Sequence, residues 1–156
     1  MYTPLLYVHS YLRWVALALV AALLIRSLVG VFASRPWPAK GGILGRAALS
    51  ALDLQFLVGL VLYIFASPVV RVAFSDFGQA MQDTQTRFWA VEHIVAMTVA
   101  LVVIHMGWAR ALKTPPDRRK HLLVLIFLTL GLLVIAYAIP WPGTSAGRPL
   151  FRIGPQ

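Results

Sequence analysis

Apolar residues run along this chain in four long blocks, and polar residues collect between them. The blocks cover about 5–32, 43–66, 88–112 and 121–139, and each reaches the roughly 20 residues a helix needs to cross the hydrocarbon of a bilayer. Pro140-Trp141-Pro142-Gly143 stops the fourth block, because proline cannot continue the helical hydrogen-bond ladder. Linkers this short favour antiparallel neighbours. The predicted fold class is all-α: an integral membrane four-helix up-down bundle forming one domain, 1–156. At the N-terminus no basic leader precedes the apolar run, which is longer than a signal peptide's and is interrupted by Arg13. It therefore reads as a retained first helix.

The linker between the second and third spans has its own pattern. Phe74, Phe77 and Met81 recur at helical spacing with Asp76, Gln79, Gln82 and Asp83 between them. This suits a short helix over about 73–84, lying at the interface like a lid. An irregular loop is the alternative. Trp14, Trp89, Trp108 and Trp141 fall near span ends, as an aromatic belt does. Ala47, Ala48, Ser50, Ala51 and Gly59 give the second span small residues that let neighbouring backbones approach.

Composition agrees with the pattern, at 60% hydrophobic and 12% charged residues, which is a membrane composition rather than a soluble one. The net charge of +9 lies in the linkers, not in a separate basic stripe, so nucleic acid is not an expected partner. Arg35, Lys40 and Arg46 sit around the first linker. Arg110, Lys113, Arg118, Arg119 and Lys120 sit around Asp117 at the third. The second holds Arg71 and Arg87, and the tail holds Arg148 and Arg152. The excess of Lys and Arg predicts that linkers one and three are cytoplasmic and both termini are outside, in a multi-pass protein of a bacterial inner membrane. No cysteine is present. That excludes disulfide exchange, iron–sulfur ligation, thiolate zinc and covalent c-type haem through this chain. No nucleophilic triad, phosphate loop or HExxH motif occurs, so a stand-alone enzyme is less expected than an electron-transfer or accessory subunit.

Ionisable residues inside the spans cost at least about 2.5 kcal/mol each when charged at the centre, which makes function the default hypothesis for them. Four histidines divide by depth. His9 and His93 lie near one face, on spans expected to run parallel across the bundle; His105 and His121 lie near the other. Two imidazoles facing across an apolar gap is the ligand set of a six-coordinate b-type haem. Arg13, one turn from His9 on the same helix face, could pair with a propionate. Glu92 could pair with Arg13 or orient an imidazole. The competing readings are an interhelical polar clamp of His9, Arg13 and Glu92, and a non-haem metal site of His9, His93 and Glu92. The last needs distortion, because adjacent helical residues point about 100° apart. A second, weaker haem site would use His105 and His121, but His105 follows His93 by twelve residues and is about 120° off its face. His121 follows Arg118-Arg119-Lys120 and is expected to be interfacial and solvated. Arg26 and Asp53 match in depth, so an interhelical ion pair is expected. The alternative for Asp53, with Gln55, is a proton or quinone site.

The motif set His9-Ser10-Tyr11-x-Arg13-Trp14, Asp53-x-Gln55, Arg87-Phe88-x-x-x-Glu92-His93, His105 and Ile139-Pro140-Trp141-Pro142 covers most of the chain. It resembles small four-helix bacterial membrane proteins labelled cytochrome b-like or uncharacterised. The resemblance implies haem b, one more readily than two, with His9 and His93 as axial ligands. The twelve-residue spacing on the third span departs from the larger cytochrome b pattern. Two functions follow as expectations. One is a membrane-embedded b-type haem protein passing electrons, alone or within a respiratory or photosynthetic complex. The other is a cofactor-free accessory subunit of such a complex, or a homo-oligomer, with lipid as its other partner. A small transporter is a weaker third, since no inverted repeat or pair of broken helices is visible.

Overall fold

The computed structural model describes residues 2–151; Arg152 of the tail lies outside them. Of the described residues, 83% are helical and none is in a strand, which makes the protein all-α. Among the described residues six helices follow in order: α1 (Tyr2–Phe32), α2 (Ala39–Ala66), α3 (Pro68–Ser75), α4 (Phe77–Gln82), α5 (Thr84–Lys113) and α6 (Asp117–Ala138). The long ones, α1, α2, α5 and α6, are long and apolar enough to cross a membrane, so the protein is multi-pass. Both described chain ends lie at one end of the bundle, the terminal end, where Arg148 reaches Tyr2. The first and third linkers lie at the other, basic end.

Packing between the four spans is uneven. The α5–α6 seam is the most extensive, α1 packs on both α2 and α6, and α2 meets α5 only thinly, so α1 and α5 stand diagonally opposed. Small residues set the close seams. A Cβ on Gly107 would overlap Phe127, and one on Gly131 would overlap Ile104. Val20, Leu23, Ala48, Ala100, Ile104, Val124 and Leu128 form the buried centre. Outward faces carry Ile25, Leu57, Val99 and Leu133, as a lipid-facing surface requires.

Helix lengths differ in a way that shapes one end. α1 has 31 residues and α6 has 22. At the basic end they are held level: His121 is seated on Gly30, and Arg118 Nε donates to the Val31 carbonyl at 3.2 Å. At the terminal end α1 therefore overhangs α6, and the tail after Ile139 folds back along the overhang. Arg13 Nη2 and Trp14 Nε1 both donate to the Leu150 carbonyl, at 2.9 and 3.2 Å. Trp14 also stacks on Phe151 at 5.1 Å.

The lid expected over 73–84 is two short helices in different bounds, α3 and α4, broken at Asp76. Capping explains the break. Ser67 accepts from the Val70 N–H ahead of Pro68, Asp76 from the Gln79 N–H at 3.0 Å, and Asp83 from the Thr86 N–H at 2.7 Å. Each such residue ends one helix and starts the next. π-helical turns occupy Leu62–Ala66 at the end of α2 and Phe88–Glu92 near the start of α5. A π turn brings i and i+5 into register, and the Arg87 Nε to Glu92 Oε1 ion pair at 2.7 Å spans five residues in this way.

Two outcomes are expected. Gly107→Val overpacks the α5–α6 seam and should destabilise the detergent-solubilised protein by about 1–3 kcal/mol, read as a lowered thermal midpoint, with lipid-facing Val99→Leu near wild type. The Thr86 hydroxyl and N–H bonded to the Asp83 carboxylate hold its pKa below the ordinary 3.8. A depressed acid stabilises above its unfolded value and loses that contribution as pH falls through its folded value. Amide exchange at Thr86 should therefore accelerate beyond its intrinsic pH trend in that range, and Asp83→Asn should abolish the excess while keeping a cap.

Candidate functional site

Because α6 stops short, the terminal half of the bundle encloses an apolar, partly open cleft of about 160 Å³. Its walls come from the outer turns of α1, α2 and α5, with Ile135 and Ile139 below and Arg148 and Pro149 of the tail closing the fourth side. The α2–α5 seam beside it is thinly packed. Two polar clasps hold that seam. The Tyr63 hydroxyl donates to the Ala90 carbonyl at 2.7 Å, joining the two π turns, and His105 Nε2 faces Asp53 Oδ1 at 3.3 Å deeper in the bundle.

His9 and His93 both line this cleft, together with Arg13 and Gln55. His9 lies flat against α2 because position 59 is glycine; a Cβ there would stand 2.8 Å from His9 Cε1. Gln55 Nε2 is 3.2 Å from His9 Nε2. Whichever face Gln55 offers, His9 Nδ1 remains buried without a hydrogen-bond partner among the described residues. Gln55 Oε1 and Trp89 Nε1 are likewise buried and unmatched. His93 is settled differently: Nδ1–H donates to the Ala138 carbonyl at 2.8 Å. That carbonyl belongs to the last turn of α6 and has no helical donor of its own. The proton is thereby placed on Nδ1, and Nε2 keeps its lone pair. Trp89, four residues before His93, lines the same cleft and packs at 5.6 Å from its ring.

Several expected partnerships are rearranged. Glu92 pairs with Arg87 on its own helix instead of Arg13 or an imidazole, because it points away from His93 as adjacent helical residues must. Among the described residues no three His, Cys, Asp or Glu side chains gather as a metal site, so His9, His93 and Glu92 do not converge. The Arg26–Asp53 ion pair does not form. Arg26 extends toward the basic end, its Nη1 beside Gly42 at 3.8 Å from where a Cβ would stand, as a long cationic side chain near a membrane surface does. Asp53 pairs with His105 instead. His105 also donates Nδ1–H to the Leu101 carbonyl at 2.9 Å, so both its ring nitrogens face oxygen. His121, expected to be solvated, is 1% exposed. It is held between Gly30 and Trp37, 4.8 Å from that ring, and donates Nε2–H to the Arg35 carbonyl at 3.2 Å. His105 and His121 therefore engage separate partners.

The sequence read Trp89 as part of an aromatic belt and the tail as a basic end segment, and singled out neither these nor Tyr63 as part of the site. Trp89 carried a signal in its i,i+4 spacing to His93; Tyr63 and the Leu150 carbonyl carried none. No family model, curated protein or solved structure matches the chain.

Tyr63→Phe removes the clasp between the two π turns at a cost of about 1 kcal/mol. Amide exchange should accelerate over 62–66 and 88–92 and stay unchanged in the α5–α6 seam. Unchanged exchange at both π turns would mean that this bond does not hold the cleft closed.

Proposed function

We propose that this cleft binds b-type haem between His9 and His93, and that the protein passes electrons within the membrane, alone or as a subunit of a respiratory or photosynthetic complex. The observation that carries the reading is the pair of imidazoles on diagonally opposed helices, lining one apolar cleft in which buried polar atoms are left unmatched. Buried polar groups are nearly always paired, so such atoms ask for a missing partner. The resemblance noted in the sequence points the same way.

The donor set fits haem in type. His93, with Nδ1–H committed to Ala138, presents Nε2, and a carbonyl in that position orients a ligating imidazole and raises its basicity. His9 has Gln55 as its orienting partner. Arg148, stacked over Trp89 at 4.5 Å, and Arg13 put two cations on the cleft wall for carboxylates. In volume the fit is not met as the cleft stands. About 160 Å³ is below the roughly 300–1,000 Å³ usual for drug-sized ligands, so occupancy requires the α2–α5 seam to part. Bound haem would supply the one-electron couple. The chain's residues ligate, orient and keep water from the site.

A second reading has its own observation: each histidine already touches a protein partner, namely Gln55, Ala138, Asp53 with Leu101, or Arg35. In that reading the imidazoles are interhelical clasps of a cofactor-free accessory subunit.

A reduced-minus-oxidised absorption spectrum of the purified chain, with pyridine haemochrome quantification, separates the two. Stoichiometric haem with a b-type α-band is expected, lost in His9→Ala and His93→Ala, weakened about 10–100-fold in affinity in Gln55→Ala, and kept in His105→Ala. A flat spectrum from wild type expressed with ample haem, or full haem in either of the first two variants, sinks the assignment.

A further inference from the structure

At the opposite end of the molecule lies an open hollow of about 350 Å³, lined by exposed Arg26, Val29, Arg35 and Pro36 and by buried His121. It is separate from the cleft of His9 and His93. Two arginines, one from α1 and one from the first linker, border it. Among the described residues neither has a carboxylate within 4.0 Å. Asp117, one turn before His121, is engaged by Lys120 Nζ at 2.8 Å and by the Trp37 backbone N–H at 3.0 Å. Asp53, the acid expected for Arg26, is taken by His105.

The walls are built, not incidental. The Arg35 carbonyl receives the His121 Nε2–H bond and the Trp37 N–H bond anchors the next turn of the linker, so Arg35 is held on the start of α6. His121 is 1% exposed and packs its ring on Gly30, so it anchors this wall to α1. The cavity is flanked on the α1 face by exposed Ile25, Leu28 and Val29, an apolar strip leading from it into the hydrocarbon. Paired arginines match phosphate oxygens bidentately. Basic pockets beside transmembrane helices are the sites at which anionic headgroups bind.

We propose that Arg26 and Arg35, the latter held in place by His121, form a binding site for the phosphate of an anionic phospholipid, with an acyl chain along Ile25, Leu28 and Val29. The phosphate satisfies the two unpaired guanidinium groups and fixes the level of the basic end in the bilayer.

The test uses the full chain in detergent, titrated with phosphatidylglycerol, phosphatidylcholine or inorganic phosphate, with the thermal midpoint as readout. Phosphatidylglycerol should raise the midpoint saturably, and phosphatidylcholine should not. R26Q/R35Q should need about tenfold more phosphatidylglycerol for the same shift. K113Q/R119Q, which removes two charges from the same end outside the cavity, should respond as wild type. R35Q alone, altered only in the linker, should show a partial loss and decides the matter if the double variant does not fold. Equal responses in wild type and R26Q/R35Q, or equal loss in both double variants, would overturn the site. An arginine-dependent shift from inorganic phosphate alone, with none from phosphatidylglycerol, would overturn the lipid assignment in favour of a soluble phosphate.

Discussion

The register between α1 and α6 governs the molecule. It is set at the basic end, where His121 sits on Gly30 and Arg118 caps the Val31 carbonyl. With the two helices level there, a 31-residue helix must outrun a 22-residue one at the other end. The space above the end of α6 is the cleft, and the tail lies across it because the overhanging turns of α1 offer Arg13 and Trp14 as donors to Leu150. Even the tautomer of His93 follows, since the carbonyl that orders it is free only because α6 ends at Ala138.

The seams are closed by different means. The α5–α6 seam is closed along its length by glycines under Phe127 and Ile104, with one polar contact, His93 to Ala138, at its terminal end. The α2–α5 seam is closed instead by Tyr63 to Ala90 and by Asp53 to His105. In hydrocarbon a polar clasp stabilises only while its partners meet, since nothing else there can hydrogen-bond them. The closure of this seam therefore rests on those two contacts. The two π turns lie at the lips of this seam, a position such turns often take at functional sites.

The two ends carry different demands. At the terminal end Arg13, Arg87 and Arg148 are tied to carbonyls, a carboxylate or an aromatic face. The basic end leaves Arg26 and Arg35 without an acid among the described residues, beside a cavity. A charge left unpaired close to a membrane has a low-cost solution only if the surroundings supply the counter-ion, and the bilayer surface is such a supply.

Hydrophobic blocks alone determined four spans, their order and their approximate ends, because a bilayer imposes one length and one secondary structure on any segment that crosses it. They also singled out His9 and His93 as matched in depth, and these do line one cleft. Partner choice was not legible. Asp53 and Arg26 matched in depth, yet depth fixes only one coordinate. Azimuth, the π turns and the reach of long side chains sent Asp53 to His105 and Arg26 toward Gly42. Likewise Arg118-Arg119-Lys120 predicted a solvated His121, whereas Gly30 leaves a seat that buries it. Which residues face one another depends on the rotation and overlap of whole helices. Those are set by contacts summed along every seam, and only the tertiary structure carries that sum.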